Sequence, residues 1–341
     1  MGGSETTTTT GGAGSGGAPT TVTTGGTGGI ATTTTGGAGG VGGEGGMGGA
    51  DPCAACTTIA SFDAGSEPTG LFVDDANVFV TLLGTGEVIQ MEKDGTGEVT
   101  LTSGEDSPIA VFARDGLVYW ASYSIEGVLR SAPVGGGAVT DLVVAPAARE
   151  IYVTPDFILW TREPDDVQQI PITGSPDGMT ALLLSGNLLT QGLTADDEAI
   201  YWVNRQDGNV KRGAFDLTGE TPLAIGDVPW DVAVDDTSIY WTESGAAPMS
   251  GKVVMADKTD GSGAVVLSAD EARPVGIAID ESHVYWANEE DGSVKAVPIG
   301  GGAVKIVMGG LSKPANVAVD ATSVYVTDAG GDAVIKAPKP Q

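Results

Sequence analysis

The chain has 341 residues, 54 of them glycine, and a formal net charge of −29 at pH 7. A surface of that sign repels nucleic acid and anionic lipid, so neither is expected as a partner. No run of 18 or more apolar residues occurs, and no membrane-spanning helix is expected.

Residues 1–52 are almost entirely Gly, Thr, Ala and Ser, with threonine runs at Thr6–Thr10 and Thr32–Thr35 and no apolar periodicity. Such a segment has too little to bury to offset its ordering entropy, so a disordered linker is expected. Its only charges are Glu5, Glu44 and Asp51, which leaves 42 acids against 16 bases, or −26, on the remainder. The linker is taken to run to residue 56, ending in Cys53-Ala-Ala-Cys56. A zinc site needs a second ligand pair, and a thioredoxin-like motif needs a strand before it and a helix after it. Neither accompanies this pair, which leaves a local disulfide between Cys53 and Cys56 or two idle thiols.

From residue 57 onward the chain repeats. Phe79-Val80, Tyr119-Trp120, Leu159-Trp160, Tyr201-Trp202, Tyr240-Trp241, Tyr285-Trp286 and Tyr325-Val326 recur at steps of 40, 40, 42, 39, 45 and 40 residues. A period near 40 indicates propeller blades. The one long step holds the insertion Gly245–Ser250. Within the sixth copy, VGIAID, SHVYWAN, SVKAVPI and AVKIVMG read as four short strands separated by turn formers. Asp280-Glu281-Ser282 is expected to form a tight Asx-type turn, followed by turns at Asp291-Gly292 and Gly300–Gly302. The seventh copy ends at Gln341 one strand short, while Thr58–Phe62 followed by Ser66-Glu67-Pro68 matches Val304–Met308 followed by Ser312-Lys313-Pro314. The expectation is therefore an all-β, seven-bladed propeller of four-stranded antiparallel blades over residues 57–341, with residues 57–62 as the closing strand of the last blade.

Ile239-Tyr-Trp-Thr-Glu243 and Val324-Tyr-Val-Thr-Asp328 resemble the YWTD repeats of lipoprotein-receptor propellers, and Pro274–Asp280 resembles the related NHL-type repeat. Receptor YWTD domains are implied to have six blades. Seven copies are closer in plan to the seven-bladed bacterial propellers that include streptogramin lyases. The Met-Gly-Gly-Ser start and Gly/Thr tether also resemble a bacterial surface lipoprotein whose signal and lipid-bearing cysteine were trimmed. That resemblance implies an extracytoplasmic location, in the cell envelope or secreted, with a lipid anchor upstream.

Loops joining strands two and three, and those joining successive blades, should share one face, predominantly acidic with a few arginines. The two residues that open each innermost strand should ring the channel there. They are Thr69-Gly70, Ile109-Ala110, Arg149-Glu150, Gln191-Gly192, Trp230-Asp231, Val275-Gly276 and Ala315-Asn316. Four copies end in Gly or Ala, and Arg149, Glu150, Trp230, Asp231 and Asn316 depart from the pattern. One interpretation is a ligand-binding set, with Glu150, Asp231 and Asn316 holding a small polar ligand or a cation such as Ca²⁺ and Trp230 as a stacking wall. The other is an ion pair from Arg149 to Glu150 or Asp231 that plugs the channel, with Trp230 covering an interblade gap. His283, the sole histidine, falls in a turn at the opposite face. A Ser-His-Asp triad or a multi-histidine metal centre is thereby disfavoured, as is the acid/base histidine that the streptogramin-lyase resemblance implies. The leading expectation is a monomeric, tethered binding module that recognises a protein or glycan through its acidic loop face. The alternative is a divalent-cation-assisted hydrolase or lyase acting at the channel mouth.

Overall fold

The computed structural model describes residues 53–163, 166–175, 181–184 (backbone only) and 189–341. The linker expected over residues 1–52 lies outside the described residues. The rest forms seven four-stranded antiparallel sheets set around a ring as propeller blades. Blades one to six each use four consecutive strands, whereas blade seven takes three from the C-terminus and its outer strand, Thr57–Ser61, from the N-terminus. Thr57–Ser61 pairs antiparallel with Ala333–Pro338, so the predicted closure and the blade count both hold.

Ring packing follows from the period-two geometry of a strand, which sends the two residues of each aromatic pair to opposite faces of their blade. The first residue of one pair meets the second residue of the next: Phe79 with Trp120, Tyr119 with Trp160, Leu159 with Trp202, Tyr201 with Trp241 and Tyr240 with Trp286. Tyr285 then meets Val326, and Tyr325 meets Val80 across the closure. Every gap between blades is thus filled from both sides by the same repeated dipeptide, and all these side chains are buried.

A second repeated device fixes the turn before the pair. Asp280 Oδ1 accepts the N–H groups of Ser282 (2.7 Å) and His283 (2.8 Å), while Oδ2 accepts the Tyr285 hydroxyl (2.8 Å). Asp196 with Tyr201, Asp235 with Tyr240 and Asp320 with Tyr325 repeat it. Burial opposes the charge on Asp280, yet the Lys339 ammonium and these donors outweigh it and hold the carboxyl well below the usual carboxylate range. Asp280→Ala is expected to destabilise the protein by about 2–3 kcal/mol in urea unfolding, because it strands the buried tyrosine hydroxyl and opens the turn. Asp280→Asn keeps the turn acceptor and should cost less.

The inner strands carry the feature that shapes the channel. In six blades the residue just before the inner strand is a non-glycine in the left-handed region, as at Ala147 (φ 56°), Val228 (φ 57°) and Arg273 (φ 59°). That conformation is strained for a β-branched residue such as Val228. It aims the carbonyl at the backbone N–H just beyond the second strand: Ala147 to Glu163, Leu189 to Arg205 and Arg273 to Glu289, each at 3.1 Å. Next comes a bulge. In blade three Ala148 pairs with Arg162 and Ile151 with Trp160, so Arg149 and Glu150 together oppose Thr161 alone. Trp230-Asp231 oppose Thr242 and Ala315-Asn316 oppose Thr327 in the same way. Bulges re-aim side chains, and here they turn the opening residues of the inner strands out of the ladder. The threonine opposite takes up the freed N–H: Thr161 Oγ1 accepts from Glu150 (3.1 Å), Thr242 from Asp231 (3.2 Å) and Thr327 from Asn316 (3.0 Å). Thr242 and Thr327 then donate to the inner strand of the next blade, at Val275 O (2.7 Å) and Thr69 O (3.0 Å). The threonine of the Tyr-Trp-Thr pattern is therefore an interblade stitch.

Candidate functional site at the channel mouth

The bulges bring the five sequence-selected residues Arg149, Glu150, Trp230, Asp231 and Asn316 around one cavity of ≈ 400 Å³, lined also by Gln191, Arg273, Glu289, Glu67 and Lys313. Blade four contributes Gly192 between Glu150 and Asp231, and a Cβ there would stand 2.5 Å from Asp231 Cα and from its Oδ1. The two carboxyl-bearing strands can approach only because that intervening position has no side chain.

Glu150 and Asp231 lie deep in the ring but open onto the channel. Asp231 Oδ1 accepts Val232 N–H (2.8 Å) and its Oδ2 accepts Ile277 N–H from the next blade (3.0 Å). Glu150 receives one longer bond, from Ile151 N–H to Oε1 (3.3 Å). Burial, followed by the negative charge of Asp231, pushes Glu150 up to about 8, and burial pushes Asp231 up to about 6 against the pull of its two amide donors. At neutral pH the pair therefore retains protons that ordinary carboxylates would have lost.

Arg149 is not the plug considered from the sequence. Its guanidinium pairs with Glu163, with Nε 2.8 Å from Oε1, and lies 4.2 Å from the Tyr123 ring centroid, while the Tyr123 hydroxyl donates to Glu163 Oε2 (2.6 Å). Trp230 is not a bare stacking wall either, since the guanidiniums of Arg205 and Arg273 lie 4.0 and 5.3 Å from its ring centroid. Such cation–π contacts fix the indole at the rim. Arg273 also pairs with Glu289 at 2.9 Å. Arg205 has no carboxylate within ion-pair distance among the described residues, and burial followed by repulsion from Arg149 and Arg273 lowers its basicity. The rim is thus richer in cations than the acidic loop face expected from the sequence.

Gln191 was not singled out from the sequence. It occupies the same bulge column in blade four and is the polar departure overlooked there. Only 6% exposed, it lines the cavity, and its Nε2 finds no hydrogen-bond partner among the described residues. His283 bonds Ser282 Oγ through Nδ1 (2.8 Å) in the turn at the far end of the six-residue strand Pro274–Ile279, roughly 20 Å from the mouth at the rise of an extended strand. Cys53 and Cys56 are joined in a disulfide, three residues apart in sequence. Among the described residues no group of three or more His, Cys, Asp or Glu side chains is placed to hold a metal ion.

No protein-family model matches the chain. Among curated proteins it is similar to the vitellogenin receptor Yl of Drosophila melanogaster, 29% identical over 187 residues that make up 50% of this chain and 9% of the receptor. The chain thus spans only a small part of that relative's length. Among solved structures, virginiamycin B lyase from Staphylococcus aureus superposes with a TM-score of 0.72 at 14% identity, over 84% of this chain and 99% of the lyase. The WD40 propeller of Doa1 gives 0.68 at 12% identity, over 84% of this chain and 97% of its own. A chain from a nidogen/laminin complex gives 0.51 at 18% identity, over 63% of this chain and 87% of its own. These likenesses establish the seven-bladed propeller ring and a distant link to a receptor with YWTD-type repeats.

Proposed function

We propose that this protein is an extracytoplasmic, tethered binding module that recognises a protein or glycan, and that the channel mouth is its recognition site. The observation that carries this reading is the convergence of Arg149, Glu150, Gln191, Trp230, Asp231 and Asn316 on one cavity through bulges in separate blades. Ring packing needs no Glu150, Asp231 or Asn316, because Gly or Ala serves at the matching third position in blades one, two, four and six. The disulfide and the similarity to part of a receptor support an oxidising, extracellular setting. Among the described residues no helix is long and apolar enough to cross a membrane. Binding is favoured over lyase chemistry because the one histidine lies at the opposite end of the ring, away from any group held at the mouth.

The test compares wild-type protein with an Arg149→Ala, Trp230→Ala, Asp231→Ala variant on a glycan array and against a displayed peptide library. Selections made by the wild type should be lost by the variant. Recovery of the same glycans or peptides by a folded variant would place recognition elsewhere. A cation-assisted hydrolase or lyase predicts saturable heat and a raised melting temperature when Ca²⁺ or Mg²⁺ is titrated into chelator-treated protein. The donor set argues against it, since both Asp231 oxygens already accept backbone N–H groups.

A further inference from the structure

The mouth gathers guanidiniums that the ring does not require. Three of the chain's seven arginines, Arg149, Arg205 and Arg273, meet there in a protein of net charge −29. Arg149 and Arg273 line the cavity, and Arg205 adjoins it through Trp230, whose ring centroid lies 4.0 Å from the Arg205 guanidinium. Arg205 occupies the position just beyond the second strand of blade four, where its backbone N–H donates to the left-handed residue Leu189. Leu83, Ser244 and Ala329 fill that position in blades one, five and seven, so the backbone contact needs no charge. In blades three and six the position is Glu163 and Glu289, and each holds an arginine, Arg149 and Arg273 respectively. Blade four has an arginine where those blades have the carboxylate, and among the described residues nothing answers it. Arg205 Nε is buried without a hydrogen-bond partner there, and its terminal nitrogens, equally unpartnered, keep accessible surface. Burial and the two neighbouring arginines oppose its charge. A partly buried cation without a counter-charge is costly, and a planar guanidinium is matched best by an oxyanion that takes two of its donors at once. Arg149 and Arg273 commit only part of their five donors to Glu163 and Glu289, so an anionic chain seated on Arg205 finds further donors in the flanking blades.

We propose, building on the channel-mouth reading, that Arg205, Arg149 and Arg273 form a carboxylate-binding cluster that seats an acidic peptide segment of a partner protein. One Asp or Glu carboxylate of the partner pairs with the terminal nitrogens of Arg205 beside Trp230, and a neighbouring acidic residue meets Arg149 or Arg273. A peptide is favoured over an acidic sugar because a sugar ring needs an open aromatic face to pack against. The rings of Tyr123 and Trp230 are already engaged by guanidiniums, Trp230 from the blades on both sides of its own. The acidity of the rest of the ring does not forbid the approach, since at physiological salt charges more than about 8 Å apart are largely screened. That acidity discourages the same peptide from settling elsewhere on the surface.

Calorimetric titration of the full chain at physiological salt with N-acetyl-tetraglutamate amide, its glutamine counterpart, tetragalacturonate and sodium sulfate tests this directly. The glutamate peptide should bind saturably and raise the melting temperature. The glutamine peptide and sulfate should give no saturable heat, and tetragalacturonate should bind about tenfold more weakly or not at all. Arg205→Met should weaken the glutamate peptide about tenfold or more, and Arg205→Lys, which keeps the charge without the fork, should fall between it and wild type. Melting curves establish that each variant is folded, and if Arg205→Met is not, Arg273→Gln decides, with a loss of about fivefold expected. The proposal is overturned by equal binding of the glutamine peptide, of sulfate or of tetragalacturonate, by unchanged binding to the deciding variant, or by the absence of any binding of the glutamate peptide. In these cases the channel-mouth reading stands if array and library selections still depend on Arg149, Trp230 and Asp231, and falls if they do not.

Discussion

Glu150→Gln should make the protein more stable than wild type at pH 8.5 and leave it nearly unchanged at pH 4.5. In the folded protein Glu150 is pushed up to about 8 and Asp231 to about 6, both above the values of an unfolded chain. Between roughly pH 4 and 8 the native state therefore holds more protons than the unfolded state, so stability falls as pH rises through that window. Below it both states are protonated and the difference vanishes. The substituted amide keeps the shape of the protonated acid and has no charge to bury beside Asp231. A full shift of this size corresponds to about 1.4 kcal/mol per pH unit. Water in the open channel screens the pair and the two titrations share protons, so a gain of about 1–2 kcal/mol at pH 8.5 is expected. Urea unfolding of wild type and variant at pH 4.5, 6.5 and 8.5 measures it. A variant less stable than wild type at pH 8.5 would show that Glu150 is held charged by groups that favour it.

Removing residues 1–61 should unfold the ring or drive it to self-associate. The deletion strips Ile59 and Ala60 from the cluster that joins Tyr325 and Val334 to Val78 and Val80 of blade one. It leaves Ala333–Pro338 as an unpaired edge next to the seam. The N-terminal chain is then held to blade seven only beyond the deleted strand, where the Asp332 carboxylate accepts the N–H groups of Gly65 and Glu67 at 3.0 Å each. Loss of a buried isoleucine together with a strand's worth of hydrogen bonds costs roughly 5 kcal/mol or more, comparable with the whole stability of many domains. A bare edge is also a template for pairing with other chains. A synthetic peptide of residues 57–66 added in trans should restore a cooperative unfolding transition, as strand addition to an open edge permits. A truncated chain that melts like the full one would show that the seam does not need its fourth strand.

The blade count, the strand order and the closure were all readable from the sequence, because each depends on a period. Tyr285-Trp286 and its six counterparts recur since each interblade gap needs the same two-sided filling, and Thr58–Phe62 stands out because the last copy lacks its outer strand. The mouth was readable in part. Glu150 and Asp231 departed from a column of small residues, but the column itself is a bulge, and nothing in the one-dimensional pattern distinguishes a two-against-one register from a regular strand. Arg149 was placed with the wrong partner for a related reason: Glu163, to which it pairs, sits in a loop whose position is set by the left-handed turn at Ala147. Gln191 was passed over because its neighbour Gly192 fits the rule, and only its burial and unanswered amide mark it.

The closing strand also determines how this ring meets mechanical load. Any pull transmitted along the chain from residues before Cys53 arrives first at Thr57–Ser61, the strand that holds the first and last blades together. The Cys53–Cys56 bond lies just ahead of it and packs against the blade-seven side through the cluster of Val324, Val326 and Ala337. The seam is thus both the latch of the ring and the place where the N-terminal segment joins it. A partner drawing on the mouth while the N-terminal segment is held would strain these few strand pairings before it strained any other blade.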